Sequence, residues 1–184
     1  MSGNSWTKTS FENNNGYDYG GGVVAYQANI NLSNTTFSGN TAGFGSALSL
    51  HSSVISISNS IIWGNQGALF HSPGASGLTS LEIGYSDIEG GVDLLNSLDN
   101  ILFTNVGGII NVNPQFCDPM NGLFNLQEES ACLTASDSSS VIGAYNSFCD
   151  ALAIDYLILK DFMLMQNYPN PFNPSTKIAY SLKQ

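Results

Sequence analysis

The chain has 184 residues and a formal net charge of −10, because four Lys and no Arg stand against 14 Asp and Glu. Charged residues make up 10% of it and apolar residues 42%, while Asn, Ser, Gly and Thr together supply about two in five. Four Lys cannot replace the counterions of a phosphate backbone, so we expect no nucleic-acid partner. The scarcity of Glu, Lys and Arg excludes a helical bundle. No apolar run reaches about 18 residues, so we expect no membrane span.

An internal repeat occupies the first half of the chain. Segments beginning at Gly20, Gly43 and Gly67 share a pattern whose equivalent positions recur after 25 and then 26 residues. A fourth, more degenerate unit begins at Val92. The aligned positions are Ile30, Ile55 and Leu81; Leu32, Ile57 and Ile83; Asn34, Asn59 and Tyr85; Phe37, Ile62 and Ile88; and Gly39, Gly64 and Gly90.

Each unit has the pattern of short strands. Apolar and polar residues alternate in segments such as Ile55-Ser-Ile-Ser, and Gly, Asn and Ser separate the segments. A propeller blade needs roughly 40 residues, whereas one coil of a parallel β-helix fits the observed period. The sequence therefore predicts an all-β parallel β-helix over residues 1–112, with Leu32, Ile57 and Ile83 stacked inside. Asn34 and Asn59 are predicted at a turn, with side-chain amides that hydrogen-bond along the stack.

Two sequence motifs connect these coils to a known group of proteins. Phe37-Ser-Gly-Asn40-Thr-Ala and Ile62-Trp-Gly-Asn65-Gln-Gly follow segments of small residues. They resemble the repeats of polymorphic outer-membrane-protein and pectate-lyase-like β-helices. The resemblance covers residues 20 to about 112 and implies a right-handed solenoid.

The segment 113–150 is a different kind of sequence. Asn113-Pro-Gln-Phe-Cys-Asp-Pro-Met-Asn-Gly and the later Ile142-Gly-Ala-Tyr resemble the end of secreted bacterial right-handed β-helix proteins. Its prolines cannot continue a ladder and Asn121-Gly122 is a turn signal, so we predict a cap on the last coil.

Three cysteines lie in the last 70 residues, without a C-x-x-C pair or a nearby His. One disulfide with one cysteine left over is favoured over a zinc site, which implies an oxidising compartment. We favour Cys117–Cys132, which closes a short loop around Asn121-Gly122, although the three cysteines leave the pairing open.

A second change of composition follows residue 150. After an apolar linker, 151–165, comes a Pro-rich motif that resembles the start of a type IX secretion sorting domain, a small β-sandwich. The segment 166–184 would hold only its beginning, as a partial β-sandwich tail. A Pro-rich linker is the alternative. The motif residues are Asn167, Tyr168, Pro169, Asn170, Pro171, Phe172, Asn173 and Pro174.

The chemistry-bearing residues are few and scattered. Glu82, Asp87 and Glu89 lie near one turn and could bind Ca²⁺, but solvent-facing acids are the favoured interpretation, and no cofactor is predicted. His51 and His71 stand at the ends of corresponding apolar segments, so we expect them near each other on neighbouring coils. Four aromatic side chains could stack on sugar rings if exposed, although such residues more often fill a core. They are Trp63, Tyr26, Tyr85 and Phe70.

These observations predict a bacterial protein that is secreted or attached to the cell surface. We expect the noncatalytic C-terminal part of a scaffold or adhesin-like β-helix, whose partners are a polysaccharide or cell-surface glycan and the type IX machinery. The N-terminus does not resemble a signal peptide, so a start further upstream is expected. The alternative is the C-terminal portion of a polysaccharide-degrading lyase or hydrolase whose catalytic coils lie upstream.

Overall fold

The computed structural model describes residues 3–74, 77–145 and 149, together with 163–164 and 180–181. Met1–Cys149 form one compact unit and Asp150–Gln184 another. In the second unit, β15 (Met163–Leu164) pairs antiparallel with β16 (Tyr180–Ser181). The sorting motif at 167–174 and the rest of the linker and tail lie outside the described residues.

The first unit consists of short strands with little helix. Its strands are β1 (Asn4–Thr7), β2 (Ser10–Glu12), β3 (Val23–Tyr26), β4 (Asn29–Ser33), β5 (Thr36–Ser38), β6 (Thr41–His51), β7 (Val54–Ser58), β8 (Ile61–Trp63), β9 (Gln66–His71), β10 (Thr79–Gly84), β11 (Asp87–Ile88), β12 (Ile101–Gly107), β13 (Phe116–Asp118) and β14 (Leu123–Leu126). The helices are α1 (Gly91–Asn96) and two 3-10 turns, Pro119–Asn121 and Ala131–Leu133.

Three parallel sheets run along the molecule. The first has the order β1-β4-β7-β10-β12, the second β2-β5-β8-β11 and the third β3-β6-β9. Neighbours within each sheet come from successive passes of the chain, so the backbone winds through about four coils. The predicted all-β parallel solenoid is confirmed.

Apolar side chains of equivalent positions stack inside the coils. In the first sheet Leu32 lies opposite Ile57, and Ile57 lies opposite Ile83. All three side chains are buried. Trp6 takes the same position in an additional first coil, which the repeat beginning at Gly20 did not reveal. The predicted apolar ladder is confirmed, and it extends one coil further toward the N-terminus.

The turn residues Asn34 and Asn59 occupy left-handed conformations, each with φ of 51°. We predicted that their side-chain amides hydrogen-bond along the stack, but both amides donate to residues outside the coils. Asn34 Nδ2 donates to the carbonyl of Val141 at 3.4 Å, and Asn59 Nδ2 donates to Asp137 Oδ1 at 3.4 Å. The reason is that the segment after the coils runs past this turn and supplies the partners.

A ladder of asparagine amides exists at a different turn, after the second sheet. Asn14 Nδ2 donates to Asn40 Oδ1, and Asn40 Nδ2 donates to Asn65 Oδ1, each at 2.9 Å. Asn40 Nδ2 also donates to the Phe11 carbonyl at 2.7 Å, although Asn40 is fully buried. Because unpaired buried amides are costly, these bonds hold the coils in one alignment.

The segment predicted as a cap forms an outer layer along the side of the second sheet. The antiparallel pair β13–β14 packs with Ile142 and Cys132 on the outward-facing side chain of Ile61. Further along, the Gly143 N–H donates to the Asn59 carbonyl, and the Tyr145 hydroxyl donates to Ser10 Oγ at 3.2 Å. Because Cys132 also contacts Asp87 on β11, the layer contacts coils from the fourth back to the first.

The disulfide joins Cys117 to Cys149, with their Cα atoms 5.6 Å apart. The predicted pairing of Cys117 with Cys132 is wrong. Cys132 is a buried free cysteine, because the 3-10 turn after Ser130 directs its thiol onto the second sheet. Loop length therefore did not decide the pairing.

The inward ladder gives a direct test of the fold. Ile57→Ala is expected to lower the free energy of unfolding by about 2–5 kcal/mol, because it leaves a cavity between Leu32 and Ile83. Val54→Ala, on the same strand but 52% exposed, should change it by about 0.5 kcal/mol or less. Urea unfolding followed by circular dichroism measures both, and equal losses would contradict the stacked arrangement.

Candidate functional site

Rings from three coils meet on the outer face of the third sheet. We call Tyr19, Tyr26, Phe44, His51 and His71 the aromatic–histidine patch. Tyr19 stacks on Phe44 with ring centroids 5.6 Å apart. His71 lies 4.9 Å from Phe44 and 5.4 Å from Tyr19, and His51 lies 5.7 Å from Tyr26. The patch is thus one contiguous cluster.

The strands place these rings toward solvent. Tyr26 lies opposite His51 in the ladder, and the exposed fractions of Tyr19, Phe44 and Tyr26 are 47%, 49% and 66%. Tyr26 and Phe44 lie on strands and Tyr19 forms an isolated bridge with Phe44, so the backbone fixes all three rings in an exposed apolar surface. Of the three exposed rings only Tyr26 was singled out from the sequence, although His51 and His71 were also singled out and expected near each other on neighbouring coils. Tyr19 and Phe44 were missed because they lie in Gly-rich segments without strand alternation.

The two histidines are close enough to share neighbours, since both rings contact Tyr19. Burial lowers the pKa of His71, and the charge of His51 adds to that effect. Ser49 Oγ and His51 Nε2 lie 3.3 Å apart. Among the described residues, no group of three or more His, Cys, Asp or Glu could hold a metal ion. The stacked rings of the patch are suited to an apolar, ring-stacking contact.

A groove of about 660 Å³ separates the ends of the second-sheet strands from the β13–β14 hairpin. One group of lining residues carries side-chain amides: Asn13, Gln66, Asn113, Gln115 and Gln127. A second group is apolar: Trp63, Phe116, Pro119, Met120 and Phe124. We call this cavity the amide groove.

The other aromatic candidates from the sequence differ in exposure. Trp63 is half-buried and borders the amide groove. Phe70 lies in the core, and Tyr85 is a half-buried turn residue with φ of 49°. Met120, which is 92% exposed at the groove, was not singled out. A lone methionine in a Pro-rich turn gave no signal of its own.

The three carboxylates proposed for Ca²⁺ have separate partners. Glu82 accepts a hydrogen bond from Ser56 Oγ at 3.3 Å, and Glu89 accepts one from the Gly64 N–H at 2.8 Å. Asp87 is fully buried beneath the outer layer, so the interpretation of all three as solvent-facing acids is wrong for this residue.

The side chain of Asp87 forms a buried pair with Cys132. The thiol donates to Asp87 Oδ2 at 3.2 Å, and the Val112 N–H donates to Oδ1 at 3.1 Å. Burial raises the pKa of Asp87 to about 6, and the charge of Glu89 adds to it, while the two hydrogen bonds oppose the shift. Burial also raises the pKa of the Cys132 thiol. A shielded thiol of this kind is unreactive. The hydrogen bond between Cys132 and Asp87 connects the outer layer to the coils.

Comparison of the chain with protein-family models, with curated proteins and with solved structures found no match. Within the part of the chain that the structure describes, no helix is both long and apolar enough to cross a membrane. The geometry of the two surfaces is therefore the basis for a functional hypothesis.

The buried carboxyl predicts a pH-dependent stability. Because the pKa of Asp87 is raised by folding from 3.8 to about 6, the protonated form favours the folded state. The stability that the protonated Asp87 carboxyl contributes is fully present below pH 4, and it is lost as the pH rises through 6. In the wild type this loss should lower the free energy of unfolding by about 2 kcal/mol between pH 4 and 7. Asp87→Asn should remove this pH dependence, as measured by chemical unfolding at each pH.

Asp99→Asn serves as the matched control, because it makes the same substitution at an exposed Asp. This variant should keep the wild-type pH profile. If Asp87→Asn also keeps it, the carboxyl is not held neutral by burial.

Proposed function

We propose that this chain is the noncatalytic part of a secreted, cell-surface β-helix protein that binds glycans as a scaffold or adhesin. The observation that carries the proposal is the row of half-exposed rings in the aromatic–histidine patch. Tyr and Phe rings on a strand present flat apolar faces to solvent, and the C–H faces of sugars pack on such surfaces.

The patch is suited to an extended ligand because it spans several coils. Tyr19 belongs to the first coil, Phe44 and His51 lie on β6 and His71 lies on β9. Each coil adds a position about 4.8 Å from the previous one along the sheet. A chain of sugar units running along the solenoid would therefore meet rings from successive coils.

Binding without catalysis is supported by the state of the acids. Asp87 is covered by the outer layer, while Glu82 lies on β10 and Glu89 lies in the turn after β11, each accepting a hydrogen bond from the protein. Paired exposed carboxylates are what glycoside hydrolysis requires, with one acting as acid and the other as nucleophile or base. Release of reducing sugar or of unsaturated products by the 184-residue chain would overturn this part of the proposal.

Export is supported by two features. The disulfide Cys117–Cys149 is typical of an oxidising compartment. The sequence from Asn167 to Pro174 resembles the start of a type IX sorting domain. We propose that this motif, together with the strands that follow it in that family, directs passage to the bacterial surface.

The patch is tested by Tyr26→Ala in the whole chain. The variant should bind an insoluble cell-wall polysaccharide about tenfold more weakly, since it loses an exposed stacking face. Val24→Ala is the control, because Val24 is 53% exposed on the same face of the same strand. Pull-down isotherms give both affinities. Equal binding by wild type and the Tyr26 variant would remove the patch from the proposal.

The sorting motif is tested in a host with type IX secretion. The protein carrying a complete sorting domain should reach the surface, and the same protein cut at Gln166 should accumulate in the periplasm. Immunodetection on intact cells against fractionated periplasm distinguishes the two. Surface display of the cut protein would show that the motif is not an export signal.

A further inference from the structure

The amide groove is a second concave surface, separate from the aromatic–histidine patch. The patch lies on the third sheet, whereas the groove lies between the turns that follow the second sheet and the β13–β14 hairpin. One strand, β9, contributes to both surfaces: Gln66 at its beginning lines the groove, and His71 at its end belongs to the patch. A ligand in the groove would therefore use different side chains from one on the patch.

Four backbone N–H groups beside the groove already have hydrogen-bond partners. The N–H of Asn13 donates to the Ser38 carbonyl, that of Gly39 to the Gly64 carbonyl, and that of Gln66 to the Asn40 carbonyl. The Gly64 N–H donates to Glu89. A peptide adding as a further strand needs free backbone N–H and C=O groups at a sheet edge, and the N–H groups at these positions are already bonded.

Side-chain amides are the polar groups that remain. Among the described residues, those of Asn13, Gln66 and Gln115 make no hydrogen bond to the protein. All three residues are exposed. An amide carries both a donor and an acceptor, and a sugar hydroxyl also does both, so the two kinds of group pair in either direction.

The apolar wall completes a site of amphipathic character. Trp63 is half-buried and packs against the cluster around Ile61. Met120, on the opposite hairpin, is nearly fully exposed. An indole that is fixed by packing and faced by a flexible thioether suits a ligand with flat apolar faces and polar edges.

Charge decides which glycans fit. Among the residues that the structure describes, no charged side chain lines the groove, and the carboxylate of Glu89 accepts a hydrogen bond from the Gly64 N–H at its rim. Lys8 is the one Lys or Arg in the described part of the chain, and the chain has a net charge of −10. A uronate polymer would meet repulsion with no cation to offset it.

We propose that the amide groove binds a segment of a neutral glycan, with sugar rings against Trp63 and hydroxyls on the amides of Asn13, Gln66 and Gln115. This inference shares with the proposed function the idea that the protein binds glycans, but it rests on different residues. It also specifies the ligand class, uncharged sugars rather than acidic ones.

The test is a titration of the 184-residue chain with neutral cello-, xylo- and manno-oligosaccharides, followed by calorimetry and tryptophan fluorescence. At least one neutral oligosaccharide should bind saturably and perturb the Trp63 emission. Trp63→Ala and Gln66→Ala should each weaken that binding about tenfold or more, and circular dichroism should show unchanged folding. Because Gln66 is exposed, its variant keeps the test valid if Trp63→Ala destabilises the protein.

The matched control is Val54→Ala, which shortens an exposed side chain of the first sheet, outside the patch and the groove, and should leave binding within about twofold. Tyr26→Ala separates the two surfaces. If Tyr26→Ala lowers binding and Trp63→Ala does not, the patch binds the sugar and the groove inference fails alone. If neither variant lowers it, both assignments fail.

Acidic sugars and peptides provide the remaining outcomes. Oligogalacturonate, with Ca²⁺ or with a chelator, should not compete with the neutral sugar. Preference for oligogalacturonate would overturn the charge argument. Saturable binding of an uncharged Pro-rich peptide, with no neutral sugar bound, would assign the groove to a protein partner and overturn the inference.

Discussion

The alignment between successive coils is the constraint on which the rest of the structure depends. Backbone pairing in three parallel sheets fixes it, and buried side chains reinforce it. Asn40 bonds to the coil before and the coil after, and Ser60 Oγ accepts from the Thr35 N–H at 3.0 Å. A slip by one residue would turn Ile57 outward and leave these polar groups unpaired inside. One register is therefore strongly favoured over its neighbours.

This register gives each sheet an inner and an outer face, and the outer faces differ in how far they are buried. The second sheet is covered by the segment after the coils, which buries Ile61 and Asp87. On the third sheet, by contrast, Tyr26 and Phe44 reach solvent. Both candidate surfaces follow from this difference, because the groove forms beside the β13–β14 hairpin of the covering segment, and the patch lies on the sheet whose outer rings are exposed.

Local patterns predicted the coils because the alternation at Ile55-Ser-Ile-Ser and the 25–26-residue period are properties of the chain itself. The first coil was harder to predict, since Trp6 begins a unit with little similarity to the others. The helix α1 was missed because it is six residues long and buries little beyond Leu95. The disulfide and the contacts of Asn34 depend on how the covering segment folds back, and sequence spacing contains no such information.

The candidate surfaces share a property that a single coil could not provide. Tyr19 and Phe44 touch only because two coils are stacked, and the groove joins Asn13, Gly39 and Gly64 from three successive coils to one hairpin. Because each coil depends on its neighbours, local unfolding of one coil would separate the groups on both surfaces. The buried ladders therefore support binding indirectly: they keep exposed rings and amides at fixed spacing, so that little ordering is left for a ligand to impose.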